Sequence, residues 1–540
     1  MRAGDISFHR PFVFWLGCAL LIAGVLSHVP MFLMGAHTHY RLVGMPMDAG
    51  MLVGMALIPL GLALAAYGLM PRIELLRLSP QQAHGKTYFH LADGVPLNRE
   101  HWTLVLVLIV ALAVDVMKPA TLGFVMPGMT AEYGISRETG ALLALVALTG
   151  TTFGSVLWGY LGDRFGRRAA ILLSALMFIG TAICGAMPTY GWNLAMCFLM
   201  GASAGGLLPI TFTLMAETIP ASHRGWLLVA LGGLGTSAGY LLAASAAALL
   251  EPLFSWRVLW LLGLPTGAVI IILNYWIPES PRFLSSVGLK DAAHAVLLRY
   301  SGRTDRAVVE DADGQPSPIL VDEQHPLAGM RQLLRGRHAG LTVGLVVCGV
   351  AWGLSNFGFL LWLPSNLVKL GIDAAGANIL LARSAIISLP GIAIVVWLYH
   401  RWSSVRSLVL FIALTVCALL AFFFMATFNL GSPTATTAAT VALLVSSSGV
   451  IAMLIPYAAE IYPVHLRGTG SGVIAASSKF GGIVGAGLGA FGFFEHFSLS
   501  AALIAVPMAA AALLLARTGV ETRGLRLEEI QKEFGDRSAT

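Results

Sequence analysis

About fourteen apolar runs, each long enough to cross a bilayer, constrain this chain more than any other feature. They cover approximately residues 11–34, 49–70, 102–126, 139–160, 169–188, 192–215, 225–250, 257–277, 341–364, 376–400, 407–428, 436–458, 468–492 and 499–517. A helix rising 1.5 Å per residue needs roughly 20 apolar residues to span about 30 Å of hydrocarbon. No water reaches the backbone there, so each run must close its own hydrogen bonds as an α-helix. The expected fold class is an all-α integral membrane protein. The first run is longer than the apolar core of a cleavable signal and lacks a clear small-residue cleavage site, so it reads as a span.

Composition excludes the main alternatives. Charged residues make up 11% and hydrophobic residues 57% of the 540, against about 25% charged in ordinary globular domains. The net charge of +6 does not argue for a nucleic-acid partner, because the basic residues collect in alternate loops. One set holds Arg72, Arg77, Lys86 and Arg99; Arg164, Arg167 and Arg168; Arg282 through Arg337; Arg401 and Arg406; and the tail from Arg523. The other holds only Arg41, Arg137, Arg257 and Lys369. This bias puts both termini on the cytoplasmic side of an inner (plasma) membrane, with the lipid bilayer as the constant partner.

The five cysteines all fall inside apolar runs, without CxxC or His/Cys spacing. They read as buried apolar side chains, and no metal or other cofactor is expected. His37-Thr-His39 offers two histidines, which rarely suffice for a site, and reads better as an exposed polar loop. Without a nucleophile–base pair or a phosphate loop, an enzyme is not expected.

The longest break divides the last twelve runs into six and six. The expected domains are residues 1–100 (two extra spans and a cytoplasmic linker), 101–277 (a six-helix half), 278–340 (a linker), 341–517 (a second six-helix half) and 518–540 (a tail). Within the linker, Lys290 to Tyr300 has a helical amphipathic pattern, and the polar stretch Asp311 to Pro318 does not. An internal repeat supports the division. Glu217, Pro220, Arg224 and Gly225 form E-x-x-P-x-x-x-R-G, and Glu460, Pro463, Arg467 and Gly468 repeat it at a constant offset (460 minus 217 is 243, as is 467 minus 224). Parallel halves with a solute site between them characterise one large transporter class.

The loop after the fourth run reads Gly159-Tyr-Leu-Gly162-Asp163-Arg164-Phe-Gly166-Arg167-Arg168. It resembles the signature loop of the major facilitator superfamily, and it stands where that family has it. Trp256-Arg257, Pro278-Glu279-Ser280-Pro281-Arg282, Val520-Glu521-Thr522-Arg523-Gly524 and the two E-x-x-P copies resemble the branch holding sugar porters and metabolite:proton symporters. The resemblance covers about residues 100 to 530 and implies two six-helix halves, with two extra N-terminal helices here. It also implies that Gly159, Gly162, Asp163, Arg164, Gly166, Arg167, Glu217, Arg224, Glu460 and Arg467 act as gating links. Cys197 stands where the family has an arginine. The segment Gly353-Leu-Ser355-Asn356 replaces the family's sugar-contact motif, which disfavours a sugar.

A charge at bilayer depth is costly unless it faces a cavity or a partner. Asp115 and Lys118 lie on one face of the third run, where similar aromatic-acid:proton symporters have two acids. Lys479 lies twelve residues beyond Arg467, about 18 Å into the membrane, and Arg383 about 10 Å from the outer face. The expectation is that Lys118, Lys479 and Arg383 attract an anionic substrate while Asp115 carries a coupling proton. Asn356, Trp352, Phe357, Trp362 and Tyr457 would line the cavity and suit an organic carboxylate. A structural Asp115–Lys118 pair, a snorkelling Arg383 and aromatics that only pack stand beside this reading. The function expected is proton-coupled symport of a small organic anion; an exporter or antiporter, or a transporter-like sensor, is the alternative.

Overall fold

The computed structural model describes residues 10–69, 95–286, 289–302, 338–369, 373–428, 432–461 and 464–523. Helices account for nearly all of them, and no strand occurs among the described residues. In chain order the helices are α1 (Pro11–Leu26), α2 (Val29–Met34), α3 (Ala49–Leu69), α4 (Arg99–Tyr133), α5 (Arg137–Phe165), α6 (Arg167–Gly180), α7 (Tyr190–Ala204), α8 (Leu207–Thr218), α9 (Ala221–Phe254), α10 (Val258–Leu261) and α11 (Gly263–Leu273). They continue with α12 (Pro281–Ser286), α13 (Lys290–Ser301), α14 (His338–Gly353), α15 (Leu361–Lys369), α16 (Ala374–Arg401), α17 (Ser404–Thr427), α18 (Pro433–Ile461), α19 (Val464–Ala490) and α20 (Phe497–Thr518).

Each of the fourteen apolar runs falls on one of these helices or on a broken helix. Ten described segments are long and apolar enough to cross a membrane, and Thr139–Gly154, Val258–Leu273 and Val473–Gly489 are shorter apolar helices. The remaining run is split into α7 and α8 at Gly205–Gly206. The amphipathic piece at Lys290 is α13. The stretch Asp311 to Pro318 and most of the linker after α3 lie outside the described residues.

Contacts divide the chain into two compact units, each discontinuous in sequence. One comprises residues 1–119, 149–227 and 249–316, the other residues 120–148, 228–248 and 317–540. In the first, α1 and α3 pack together and lie against α6. Glycines recur along their seam at heptad spacing. A Cβ on Gly17 would lie 2.6 Å from the Gly61 carbonyl oxygen, and one on Gly24 2.7 Å from that of Gly54. In lipid there is little hydrophobic drive to join helices, and close backbone approach through small residues supplies the contact instead. In the second unit the core gathers Leu345, Trp352, Val395, Phe411, Tyr457 and Leu515.

Candidate functional site

The polar residues outside the apolar runs build a carboxylate-centred cluster in the first unit. Gly166 ends α5 with φ +104°, a conformation that suits glycine, and α6 begins at the next residue. The first N–H groups of any helix lack partners within it. Here Glu279 supplies them from far along the chain. Its Oε1 accepts from the Arg167 N–H at 2.7 Å and the Ser280 N–H at 2.9 Å, and its Oε2 accepts from the Arg168 N–H at 3.2 Å. Burial pushes this carboxyl up to about 7, against the pull of those N–H groups and of the Arg167 charge. The Ser280 hydroxyl donates to Glu217, which pairs with the Arg167 guanidinium at 3.6 Å. Arg167 also donates to the Gly162 carbonyl at 3.0 Å, and Arg224 to that of Ile219 at 3.4 Å.

The second unit repeats the design with different side chains. Glu521 accepts from the Ser404 N–H at 2.9 Å, in the first turn of α17, and from the hydroxyls of Ser403 and Ser404. Burial alone would raise this carboxyl, but the bonds from Ser403, Ser404 and Arg523 outweigh it and hold the group below its usual range. The Thr522 hydroxyl donates to Glu460 at 2.7 Å, as Ser280 does to Glu217, and Tyr399 donates to the same oxygen at 2.8 Å. So the segment leaving each half's last helix caps another helix and touches the repeated glutamate. Gly159, Asp163 and Arg164 fall on the last turns of α5. Their side chains lie outside the described residues, as does that of Arg467 on α19.

Several residues expected in a solute cavity are placed otherwise. Lys118 is 1% exposed and points into the first unit. Its Nζ donates to Thr181 Oγ1 at 3.1 Å and to the Phe178 carbonyl at 3.4 Å, and sits 4.3 Å from the centre of the Phe178 ring. In this structure the ammonium is enclosed by Phe178 and Thr181, a setting that fits a structural role. Tyr457 is fully buried, its hydroxyl donating to the Val520 carbonyl at 2.8 Å and accepting the Val520 N–H at 2.9 Å. Trp352 donates to the Ser447 carbonyl at 2.8 Å and meets Phe357 edge-on. Both pack and brace. Arg383 shares the exposed stripe of α16 with Ile379, Ile386 and Ile387, a placement that suits a snorkelling arginine.

Asp115 is buried on α4, at 4% exposure. Asn356 and Phe357 are half-buried on a π-helical stretch, Leu354–Leu360, of the kind that often marks functional positions. Beside it runs α19 with the half-buried Lys479: a Cβ on Gly353 would lie 2.6 Å from the Gly482 nitrogen. Trp362 helps line a cavity of about 340 Å³ with Met126, Pro127, Thr130, Ser365 and Val368, all in the second unit.

Sequence reasoning did not foresee the cap at Glu279, the residues that line the cavity beside Trp362, or Arg257. The last is fully buried and donates to the carbonyls of Gly185 and Met187 at 3.2 and 2.8 Å. The motifs Trp256-Arg257 and Pro278-Glu279-Ser280 were the available signal.

Residues 104–486 match the Major Facilitator Superfamily. This chain belongs to that family. Among its relatives, the niacin transporter NiaP of Acinetobacter baylyi is 29% identical over 462 residues, covering 81% of this chain and 98% of the relative. The 4-hydroxybenzoate transporter PcaK of the same organism is 26% identical, covering 79% and 92%. The solved xylose transporter XylE from E. coli aligns with TM-score 0.63 at 17% identity, covering 79% of this chain and all of that one, and shares the fold. The protein is thus a multi-pass secondary transporter of a small molecule and not an enzyme.

Proposed function

We propose that this transporter moves a small organic anion, aromatic or aliphatic, together with protons, by alternating access in an inner membrane with both termini cytoplasmic. The observation that carries the reading is the match along most of the chain to relatives named for niacin and 4-hydroxybenzoate, both aromatic carboxylates. Asp115, buried on α4, is the proton carrier in this reading. A carboxyl at that depth is expensive to keep charged, so its protonation follows the access state. Lys479 on α19 supplies the positive potential for the anion, and Asn356 a hydrogen-bonding side chain. The two carboxylate clusters, at Glu217 with Glu279 and at Glu460 with Glu521, act as inner-end latches.

The test is uptake into proteoliposomes with internal pH recorded while 4-hydroxybenzoate, niacin or an aliphatic carboxylate is added outside. Internal acidification that requires one of these solutes, and is abolished in Asp115→Asn while solute binding persists, is the expected result. Solute accumulation with no proton movement, or unchanged acidification in Asp115→Asn, would sink the proton assignment.

A further inference from the structure

Asn98 caps two helices at once. It is the residue before α4, and its Oδ1 accepts the His101 N–H at 3.1 Å. His101 answers in kind: its Nδ1 accepts the Asn98 N–H at 3.1 Å. This is the reciprocal arrangement of a capping box, with histidine at the third helical position, where glutamate or glutamine is usual. The Asn98 amide also reaches a distant part of the chain. Its Nδ2 donates at 2.7 Å to the carbonyl of Tyr300, in the last turn of α13, where carbonyls lack partners within the helix. Two further ties join the same helix ends. Arg299 Nε donates to Glu100 Oε2 at 2.7 Å, and the Tyr300 ring meets that of His101 edge-on at 5.1 Å. His101 is fully buried, and Tyr300 nearly so.

Histidine brings to the box a property that glutamine lacks. A backbone N–H only donates, so the Nδ1 that accepts it must carry a lone pair, and the ring is neutral with its proton on Nε2. A second proton would turn Nδ1 into a donor aimed at a donor 3.1 Å away. The box and the protonated ring exclude one another. The box is therefore full above the ordinary histidine value of about 6.5 and is lost as pH falls below it. Facing the ring are His223 on α9, Glu100 beside it on α4, Tyr300 on α13 and the Thr218 carbonyl at the end of α8. His223 is the rival titrating group, since its own Nδ1 accepts from Trp226 Nε1 at 3.2 Å.

We propose that the Asn98–His101 box is a cytoplasmic pH sensor: neutral His101 clasps the linker helix α13 to the inner end of α4, and protonation releases it. The sensor shares no residue with the transport reading and takes from it only the orientation in the membrane. Breaking the box frees the Asn98 amide that holds the Tyr300 carbonyl, so one proton at the start of α4 is felt at the end of α13.

The experiment is hydrogen–deuterium exchange of the full-length protein in nanodiscs at pH 7.5 and pH 5.5. It is read by mass on peptides from α13 and corrected for the intrinsic pH dependence of amide exchange. Protection of α13 in the wild type should fall at least tenfold at pH 5.5. His101→Gln keeps an acceptor and carries no titrating proton, so it should hold its protection at both values. His223→Gln should leave the wild-type response in place. Selectively ¹⁵N-labelled histidine gives a second reading on the wild type: the His101 Nδ1 should be unprotonated at pH 7.5 and take up a proton over the interval in which α13 loses protection. Equal protection at the two pH values would overturn the sensor. So would a response that survives in His101→Gln or one that vanishes in His223→Gln, which would assign it to His223. Should His101→Gln fail to fold, the nitrogen reading decides, and an Nδ1 already protonated at pH 7.5 would overturn the proposal.

Discussion

Replacing Glu279 by alanine removes one carboxylate from three N–H groups at once. Arg167 and Ser280 lose acceptors at 2.7 and 2.9 Å, and Arg168 loses one at 3.2 Å. An N-terminal cap is worth about 1 kcal/mol and can reach about 2, and each bond to a neutral acceptor, which this carboxyl is below pH 7, about 0.5–1.5. Water reaches the freed groups in part, so the net cost is about 3 kcal/mol. The pH dependence has a definite sign. The folded carboxyl sits at about 7 and the unfolded reference at 4.5, so the folded state holds more protons between those values. Stability from this group is therefore full below pH 4.5 and falls as pH rises through 7, by about 3 kcal/mol in all. Protonation at Oε2 gives up only the longest bond, to Arg168, and leaves Oε1 accepting the two shorter ones.

The assay is thermal unfolding of the purified protein in detergent at pH 5 and pH 8, comparing wild type, Glu279→Ala and Glu279→Gln. At pH 5 the alanine variant should unfold roughly 3 to 6 °C below wild type, and the gap should narrow to near zero at pH 8. Glutamine, a neutral acceptor at every pH, should flatten the wild-type slope. A gap that widens from pH 5 to pH 8 would refute the reasoning, since it would mean that the ionised carboxylate is the stabilising form.

Glu521 should behave in the opposite sense. Its folded carboxyl lies below the usual range, so its contribution is present above pH 4.5 and fades as pH falls through the lowered value; the deficit of Glu521→Gln in unfolding temperature should shrink on acidification. Lys118→Met should leave the KM for anion uptake within about twofold, because the ammonium is enclosed by Thr181 and Phe178 and a buried cation replaced by an apolar chain of similar size is often tolerated. Lys479→Met should raise KM about tenfold, the worth of roughly 1.4 kcal/mol of lost binding. Equal effects at the two lysines would overturn the placement of Lys118 away from the solute.

What the chain determined by itself was everything that depends on local accounting. A backbone in hydrocarbon must bond to itself, so fourteen apolar runs became helices, and their lengths were readable because the bilayer is a ruler. The repeated E-x-x-P-x-x-x-R-G and the Gly162 loop marked corresponding helix ends in the two halves. The tertiary structure decided which neighbour each face meets. The three-residue spacing put Asp115 and Lys118 on one side of α4, but only the position of α6 turned the lysine onto Thr181 and Phe178. Aromatic content left Trp352 and Tyr457 equally suited to a solute or to packing; only the fold brought the carbonyls of Ser447 and Val520 to their polar groups. Glu279 lies more than a hundred residues from Arg167, and no local pattern records that a carboxylate there will cap a helix here. Such partners are selected when the bundle closes, because an unpaired N–H or a buried charge costs more than the chain entropy of bringing a distant partner to it.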